Sequence, residues 1–549
     1  MRRGADARPV GRGFHAPPLR ASGETPNPRG RGVEPAPYRR TTPDRLRQPV
    51  LPAEGRAGMP APRTAGHRSP PYRTALLLAS LPLALAPAAA AQPWPCFRGA
   101  ADGGAWRSFA LPSARALPGW EFRPPGQVRG YVPGGSVWGS PSVARLGNDV
   151  IAFAGSYDHN VYAIGVLDGR ERWRYATGGP VTATPAVAQV GGRWTVFFGS
   201  ADRTLYCVEA KTGRKVWARQ VLDWRQTVGR GTVASPLLLT PGGRTVALFA
   251  FWVYDQSPAR PLERGALRAC DAATGNLLWQ AELGPSRPTS PVAAEVDGTT
   301  VVLVATTDGN VHCLDAATGR PRWKETLQGS IEASPAVTGG PDPLVLIGTR
   351  YGTFHALHAR TGDEAWRYRA GQWVDSSAAV ATVGGRDVAF FGSHAQALCA
   401  VEAGTGRPLW TFDTKGDVYS SPSVLRVAGR PVVAFTSGDD TLYLVDAASG
   451  REVWRTVPGR YLWEYRVIGD GIWASPVGVE VNGTTLVLLP FYDGVFHCYR
   501  ADVAAVARLA GNPGYGAAMV RRALVAAVVA AALAVALVRR DRRRDETIA

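Results

Sequence analysis

Short apolar runs separated by polar turns recur along most of this 549-residue chain. Each unit starts with a small residue followed by Pro, continues as an apolar run that ends in Gly-Ser or a similar pair, and passes through a polar turn. A second apolar run then leads to Thr-Gly and a Trp. Apolar runs of strand length bounded by turn residues predict β-hairpins, so the pattern predicts an all-β fold.

The start of the unit occurs eight times. The copies are Ser140-Pro141, Thr184-Pro185, Ser235-Pro236, Ser290-Pro291, Ser334-Pro335, Ser377-Ala378, Ser421-Pro422 and Ser475-Pro476. Their spacing of about 44 residues is that of a four-stranded propeller blade. The sequence therefore predicts an eight-bladed β-propeller over residues 120–502, which we expect to be monomeric.

A tryptophan closes seven of the units. These residues are Trp173, Trp217, Trp279, Trp323, Trp366, Trp410 and Trp454. Six of them follow the Gly of a Thr-Gly or Ser-Gly pair by four residues, as in Asp271-Ala272-Ala273-Thr274-Gly275 before Trp279. Such a sequence predicts a tight hairpin in which Asp caps the turn, Gly takes the left-handed conformation and Trp begins the outer strand.

The eighth unit has no Thr-Gly and no Trp of its own after Ser475-Pro476. A surplus strand, Trp120-Glu121-Phe122, precedes the first unit. We predict that residues 120–123 form the outer strand of the eighth blade, with Trp120 as its motif tryptophan. Closure of this kind joins the two ends of the propeller and removes an open sheet edge.

The alanine, aspartate, threonine-glycine and tryptophan pattern resembles the tryptophan-docking motif of pyrroloquinoline-quinone (PQQ) type propeller repeats. The resemblance covers roughly residues 94–501. It includes a lead-in at 92–119, where Trp94-Pro95-Cys96-Phe97-Arg98-Gly99 is similar to the segment common in these proteins. The family contains the propeller lipoprotein that assists outer-membrane-protein assembly and the propeller of quinoprotein dehydrogenases, so the resemblance implies either a scaffold or an enzyme.

The enzymes of this family hold PQQ and a calcium ion near the propeller axis, usually beside two adjacent cysteines joined in a disulfide, with an aspartate as base. This chain has no adjacent Cys pair, and its turns are mostly short. Its acids Asp271, Asp315 and Asp446 are placed to cap hairpin turns. We therefore expect no catalytic residue and no cofactor, with a quinoprotein dehydrogenase as the alternative.

Most cysteines and histidines occupy repeat positions that other blades fill with packing residues. Cys207, Cys313 and Cys498 replace Ala or Leu, with Cys399 one residue earlier, and His312, His355 and His497 replace Tyr162, Tyr206 and Tyr443. We interpret them as core residues rather than disulfides or metal ligands. Cys96 lies outside the repeats, and whether it forms a disulfide stays open.

Arg and Lys are concentrated at the two ends of the chain. Residues 1–91 carry a formal charge of +10 and residues 521–549 carry +4, out of +18 in total. The rest of the chain is nearly balanced, which argues against nucleic-acid binding.

Residues 1–67 are predicted to be disordered, and Met59 offers an alternative start. Residues 68–91 have the charged end, apolar centre and Ala89-Ala90-Ala91 cleavage site of a signal peptide.

The C-terminal region contains a run of 16 apolar residues, Ala523–Val538, flanked by Arg. We predict a linker at 503–520, a transmembrane helix at 521–540 and a cytoplasmic basic tail at 541–549. The propeller would then lie outside the cytoplasm, anchored by one helix. The same layout is similar to C-terminal sorting tags that are later clipped, so a released mature protein stays open.

Four insertions interrupt the regular spacing on one face of the predicted propeller. They contain the aromatic and basic residues Arg129, Tyr131, Trp138, Trp224, Arg225, Trp252, Tyr254, Tyr461, Trp463, Tyr465, Arg466 and Trp473. Trp, Tyr and Arg are the side chains that most often anchor interfaces. Either these rings cap the central channel or they form a binding face.

We therefore expect a non-enzymatic, membrane-anchored module that binds or scaffolds an envelope protein or another ligand. A sensor of a glycan or small ligand is a further alternative.

Overall fold

A computed structural model describes residues 107–109, 120–122, 139–221, 229–255, 262–457, 475–490 and 495–501 of the chain. Within these ranges the chain forms 34 β-strands, β1 to β34, and one short 3-10 helix, Pro241–Gly243. The strands are arranged in eight sheets of four or five strands. The predicted all-β propeller of eight blades is confirmed.

Blades 1, 2 and 4 are regular four-stranded antiparallel sheets, each with its strands in chain order from the inside to the outside. In blade 1 the strands are β3 (Ser142–Leu146), β4 (Asp149–Gly155), β5 (Asn160–Gly165) and β6 (Glu171–Ala176). In blade 2 they are β7 (Ala186–Val190), β8 (Arg193–Gly199), β9 (Thr204–Glu209) and β10 (Lys215–Gln220). In blade 4 they are β16 (Val292–Val296), β17 (Thr299–Ala305), β18 (Asn310–Asp315) and β19 (Pro321–Thr326).

Blades 5, 6 and 7 follow the same plan. Blade 5 contains β20 (Ala336–Val337), β21 (Leu344–Gly348), β22 (Thr353–His358) and β23 (Glu364–Arg369). Blade 6 contains β24 (Ala379–Val383), β25 (Arg386–Ser393), β26 (Ala397–Glu402) and β27 (Pro408–Asp413). Blade 7 contains β28 (Ser423–Val427), β29 (Arg430–Thr436), β30 (Leu442–Asp446) and β31 (Glu452–Thr456).

Blade 3 differs from the others because its central hairpin is longer. Its strands are β11 (Gly229–Val233), β12 (Leu237–Leu239), β13 (Val246–Asp255), β14 (Leu262–Asp271) and β15 (Leu277–Gly284). Both β12 and β11 pair with β13, one after the other. The link into the blade therefore becomes a strand of an extended three-stranded arm, β11-β13-β14.

Blade 8 closes the propeller with strands from both ends of the described chain. It contains β32 (Val477–Val481), β33 (Thr484–Pro490) and β34 (Phe496–Arg500), with β2 (Trp120–Phe122) as its outer strand. Trp120 pairs with Cys498 in the register that pairs Trp173 with Ala163 in blade 1. The predicted closure is confirmed. An unpredicted fifth strand, β1 (Arg107–Phe109), runs parallel to β32 on the inner side.

The small residues before each inner strand form a hydrogen-bonded ring that we call the serine ring. At seven blade boundaries the backbone amide of one member donates to the side-chain oxygen of the next, at 2.8 to 3.2 Å. The members are Thr184, Ser235, Ser290, Ser334, Ser377, Ser421, Ser475 and Ser140. The bond from Ser475 to Ser140 joins blade 8 to blade 1.

The motif tryptophans fix each blade to the next at the other end. The indole Nε1 of Trp279 donates to the carbonyl of Ala316, 3.1 Å away, and five more blades repeat this bond. The indole ring lies against Gly319, whose φ is +70°. A Cβ at that glycine would be 2.4 Å from the ring, so both the backbone conformation and the close approach require Gly.

The apolar core lies between neighbouring blades. Cys207, Cys270, Cys313 and Cys399 are buried free thiols, and burial raises their pKa values to about 11 or 12. Cys498 is also buried, which agrees with the predicted packing role; Cys96 lies outside the described residues.

No helix in the described ranges is long and apolar enough to cross a membrane. The predicted signal peptide and the span at 521–540 lie outside those ranges.

Candidate functional site

The two ends of each blade carry different connections. One end holds the Thr-Gly turns and the docked tryptophans. The other, which we call the link face, holds the turn between the second and third strands and the link from the outer strand to the next blade. Of the predicted insertions, the one that contains Trp252 and Tyr254 belongs to this face.

Most residues of the predicted binding face lie outside the described ranges. These are Arg129, Tyr131, Trp138, Trp224, Arg225, Tyr461, Trp463, Tyr465, Arg466 and Trp473. Their role stays a prediction. Trp252 and Tyr254 are described, and both lie on the arm of blade 3.

On the arm, Trp252 and Tyr254 are half-buried and stacked, with ring centroids 5.5 Å apart and planes 8° from parallel. The indole of Trp252 donates to the carbonyl of Pro285, 3.1 Å away, in the link to blade 4. This bond holds the arm against its own propeller. Of the two interpretations of these rings, as caps or as a binding face, the contact favours caps.

Three blades share one side-chain arrangement in the turn at the link face, which we call the turn lock. In blade 2, one carboxylate oxygen of Asp202 accepts from the amide of Thr204 at 2.9 Å. The other accepts from the hydroxyl of Tyr206 at 2.7 Å and from the amide of Gly178 in the preceding link at 2.8 Å. The lock therefore fastens turn, third strand and link together.

Blades 1 and 7 repeat the lock. Asp158 accepts from Tyr162 at 2.6 Å, and Asp439 accepts from Tyr443 at 2.7 Å and from the amide of Lys415 at 3.1 Å. Burial and the neighbouring carboxylate raise the pKa of Tyr443 to about 12. In blade 4 the aspartate is Asp308, but the tyrosine position holds His312.

Blades 5 and 6 have lost the lock. Where blades 1, 2, 4 and 7 have Asp, blade 5 has Tyr351 and blade 6 has Ala395. The residue before it is charged or titratable in these two blades, Arg350 and His394. The backbone is unchanged, because the amide of His394 donates to the link carbonyl of Trp373 at 2.9 Å, just as the amide of Ala201 in blade 2 donates to Pro180 at 2.8 Å.

A chain of polar side chains runs from blade 4 to blade 7 and takes the place of the lock in blades 5 and 6. This polar belt comprises Arg287, Glu332, Arg350, Asp375, His394, Asp417 and Tyr419. Within the belt, Glu332 pairs with both Arg287 and Arg350. Arg350 donates two hydrogen bonds to the carboxylate of Asp375, from Nε at 3.1 Å and from Nη2 at 3.0 Å.

The belt continues through His394 into blade 7. Its Nε2 lies 3.2 Å from Asp375 Oδ2, and its Nδ1 lies 3.7 Å from Asp417 Oδ2. The hydroxyl of Tyr419 donates to the same Asp417 oxygen at 3.0 Å. The histidine ring therefore connects the links that enter blades 6 and 7.

Asp375 is the most buried carboxylate of the belt, with 8% of its side chain exposed. Burial alone would raise the pKa of this carboxyl, but the hydrogen bonds and charges of His394 and Arg350 hold it below its usual value. Asp375 in turn raises the pKa of Arg350. The pair is a fixed ionic centre, not a group available for proton transfer.

One tryptophan stands apart from all the others described. Trp373 is 46% exposed, and its indole N–H has no hydrogen-bond partner among the described residues. The guanidinium of Arg350 lies 4.9 Å from the centre of its ring, and the ring of His394 lies 5.3 Å away. Tyr351, in the adjoining turn, is 55% exposed. Exposed aromatic rings held beside an arginine are typical of interface anchors.

This cluster was not predicted from the sequence. A signal for it was present in the repeat, because Tyr351 and Ala395 stand where Asp158, Asp202, Asp308 and Asp439 stand in four other blades. Two neighbouring blades that depart from the repeat at the same position could have drawn attention to this surface.

The arrangement does not fit a PQQ–calcium centre. The resemblance implies adjacent cysteines, but the described cysteines are separate and buried between blades. A planar quinone could stack against the exposed ring of Trp373, but the guanidinium of Arg350 already lies over that ring. Among the described residues, no three His, Cys, Asp or Glu side chains converge to hold a metal ion.

Solved structures that are similar to this chain include two dehydrogenases and a BamB protein. A europium-containing methanol dehydrogenase is 16% identical, with a TM-score of 0.52, over 72% of this chain and 89% of its own. Quinohemoprotein alcohol dehydrogenase ADHIIG from Pseudomonas putida HK5 is 14% identical, with a TM-score of 0.52, over 74% and 80%. BamB from Moraxella catarrhalis is 18% identical, with a TM-score of 0.45, over 66% and 94%. At these identities the first two show the fold alone.

No curated protein sequence matches the chain. A family model described as outer membrane protein assembly factor BamB matches residues 105–251, 263–370 and 338–457, which together make up more than half of the chain. The matched ranges run from the closing strands of blade 8 through blade 7, and so include the docked tryptophans and the polar belt. The chain therefore belongs to the PQQ-type repeat family described as outer membrane protein assembly factor BamB.

Proposed function

We propose that this chain is a non-enzymatic binding propeller that works outside the cytoplasm and presents the link face of blades 5 and 6 to a partner protein. The observation that carries the proposal is the loss of the turn lock in these two blades together with the exposure of Trp373. A side chain of this size costs free energy in water unless a partner covers it. The description of the family as an assembly factor supports a protein partner.

The location rests on the sequence. The predicted signal peptide at 68–91, the predicted span at 521–540 and the basic tail are what support an ectodomain tethered to the cytoplasmic membrane. Removal of residues 521–549 should release the propeller into the soluble extracytoplasmic fraction. Retention of the shortened chain in the membrane would contradict the anchor.

A photo-crosslinking residue in place of the exposed Gln372 tests the binding face. In the full chain, expressed in its own envelope, illumination should give one discrete protein adduct. Trp373→Ala in the same chain should remove the adduct, because the anchor next to the probe is lost. Leu277→Ser is the matched control, since Leu277 is 56% exposed near the Thr-Gly end of blade 3. An adduct that survives Trp373→Ala, or that is lost equally with Leu277→Ser, would contradict the proposed face.

The non-enzymatic part has its own test. The full chain is incubated with PQQ and calcium, separated from free cofactor, and assayed for cofactor absorbance and for dye-linked alcohol oxidation. We expect neither, because the guanidinium of Arg350 lies over the ring of Trp373 and the described cysteines are not adjacent. Bound cofactor with alcohol oxidation would replace the binding proposal with a quinoprotein dehydrogenase.

A further inference from the structure

The exposed side chains around Trp373 include hydrogen-bond donors that have no partner among the described residues. The indole N–H of Trp373 and the hydroxyl of Tyr351 have no partner among the described residues, and Arg287 keeps unpaired N–H groups beyond the one that Glu332 accepts. A binding partner that suits this surface must therefore supply acceptors.

The carboxylates of the cluster are already engaged. Both oxygens of Asp375 accept from Arg350, and Glu332 is shared by two arginines. Asp417 accepts from Tyr419 and faces His394. A segment rich in free backbone N–H donors would find few partners here and would leave those donors unsatisfied.

The charge of the cluster argues against an anionic partner. The belt contains three carboxylates, Glu332, Asp375 and Asp417, against the two arginines Arg287 and Arg350. An added carboxylate would be repelled by this surplus, so the acceptors should be neutral carbonyl groups.

A proline-rich segment in the polyproline II conformation has this chemistry. Proline has no N–H, its carbonyls point outward as acceptors, and its rings pack on exposed aromatic side chains. Domains that recognise such segments do so with aromatic-lined surfaces. We propose that the partner segment bound at Trp373 and Tyr351 is proline-rich and extended, an inference that rests on the proposed function of the same face.

The turn geometry holds the two aromatic residues near each other. Tyr351 follows Arg350, whose guanidinium lies over Trp373, and a Cβ added to Gly352 would be 3.3 Å from the backbone of Gln372. The turn and the link are therefore packed together. The Arg350–Trp373 contact also fixes the indole before binding, which lowers the entropy that a partner must overcome.

Fluorescence anisotropy with a labelled poly-L-proline peptide tests the inference on the detergent-solubilised full chain. Gly-Ser and proline-glutamate peptides of the same length are the controls. We expect the proline peptide to bind, the Gly-Ser peptide not to bind, and the proline-glutamate peptide to bind more weakly. Trp373→Ala should weaken binding of the proline peptide by about tenfold or more, whereas Leu277→Ser should leave it unchanged.

Three outcomes would overturn the inference: equal binding of the Gly-Ser peptide, tighter binding of the proline-glutamate peptide, or unchanged affinity in Trp373→Ala. The crosslink from Gln372 separates this failure from failure of the proposed function. If the adduct still depends on Trp373 while no proline peptide binds, the binding face stands and the proline-rich partner is wrong. If the adduct is also indifferent to Trp373, both proposals fail.

Discussion

Blades 2 and 6 share a backbone but differ in what their turns do at the link face. In blade 2, Asp202 ties the turn, Tyr206 and the preceding link into one hydrogen-bonded unit. In blade 6 the corresponding positions hold Ala395 and Cys399, and the turn instead presents His394 to two carboxylates. The same backbone therefore carries two different sets of side-chain contacts, and we propose that the blades that depart from the repeat are the ones that bind a partner.

The largest expected effect is on the lock itself. Asp202→Ala removes three hydrogen bonds to one carboxylate and leaves the hydroxyl of Tyr206 without its acceptor, which should lower the free energy of unfolding by about 3 kcal/mol. Denaturant unfolding of the full chain measures this loss. A change within about 0.5 kcal/mol would mean that the lock does not stabilise blade 2.

Because Asp375 belongs to the polar belt, its protonation in acid should lower the stability of the folded protein. Its pKa is lowered in the folded protein, so its contribution is complete above the unfolded carboxyl pKa of about 4 and is lost as pH falls through the lower folded value. Asp375→Asn should remove this loss of stability in acid. Near neutral pH it should also lower the free energy of unfolding by about 2 kcal/mol, because Arg350 is left with a weaker partner. Unfolding curves at a series of pH values compare the two proteins, and parallel curves would refute the assignment.

His312 offers a way to complete a lock. Burial lowers the pKa of this histidine from 6.5 to about 4, so the folded protein should lose stability as pH falls between these values, where only the unfolded chain takes up the proton. His312→Tyr should remove that loss and, by donating to Asp308, add about 1 kcal/mol at neutral pH. A variant that is less stable than the parent at every pH would show that blade 4 cannot accept the tyrosine.

The smallest expected effect is on the stability of the exposed cluster. Trp373→Ala removes a ring that is 46% exposed, so the free energy of unfolding should fall by no more than about 1 kcal/mol. Leu277→Ser should change it by about 0.5 kcal/mol or less. Thermal unfolding of the two variants measures both changes in stability. A large loss in Trp373→Ala would make this ring structural.

The blades and their closure could be predicted from the sequence because each blade repeats its marks at a fixed spacing. Trp120 and Ser475 were recognisable as the two halves of one blade for that reason. The inner strand β1 was not, because three residues paired through the backbone have no side-chain signature. The strand β11 escaped notice as well, since Gly229 and Gly231 have low strand propensity and its pairing depends on the long β13.

The candidate site was harder to predict than the fold. Arg350 and Asp375 are separated by about half a blade along the chain, and their contact follows only once the turn and the link are known to meet. The aromatic insertions attracted attention by composition alone, and Trp252 proved to be bonded to Pro285 of its own propeller. The binding face that composition suggested stays a prediction, whereas the polar belt became visible only in the structure.

The separation of scaffold blades from binding blades is tested most directly on two variants, Trp373→Ala and Asp202→Ala. Crosslinking from Gln372 and the free energy of unfolding are measured on both. We expect opposite outcomes. Trp373→Ala should lose the adduct and keep its stability, whereas Asp202→Ala should lose stability and keep the adduct under conditions where it remains folded. If both variants lose stability together, or if the adduct forms equally in both, the separation of scaffold blades from binding blades is wrong.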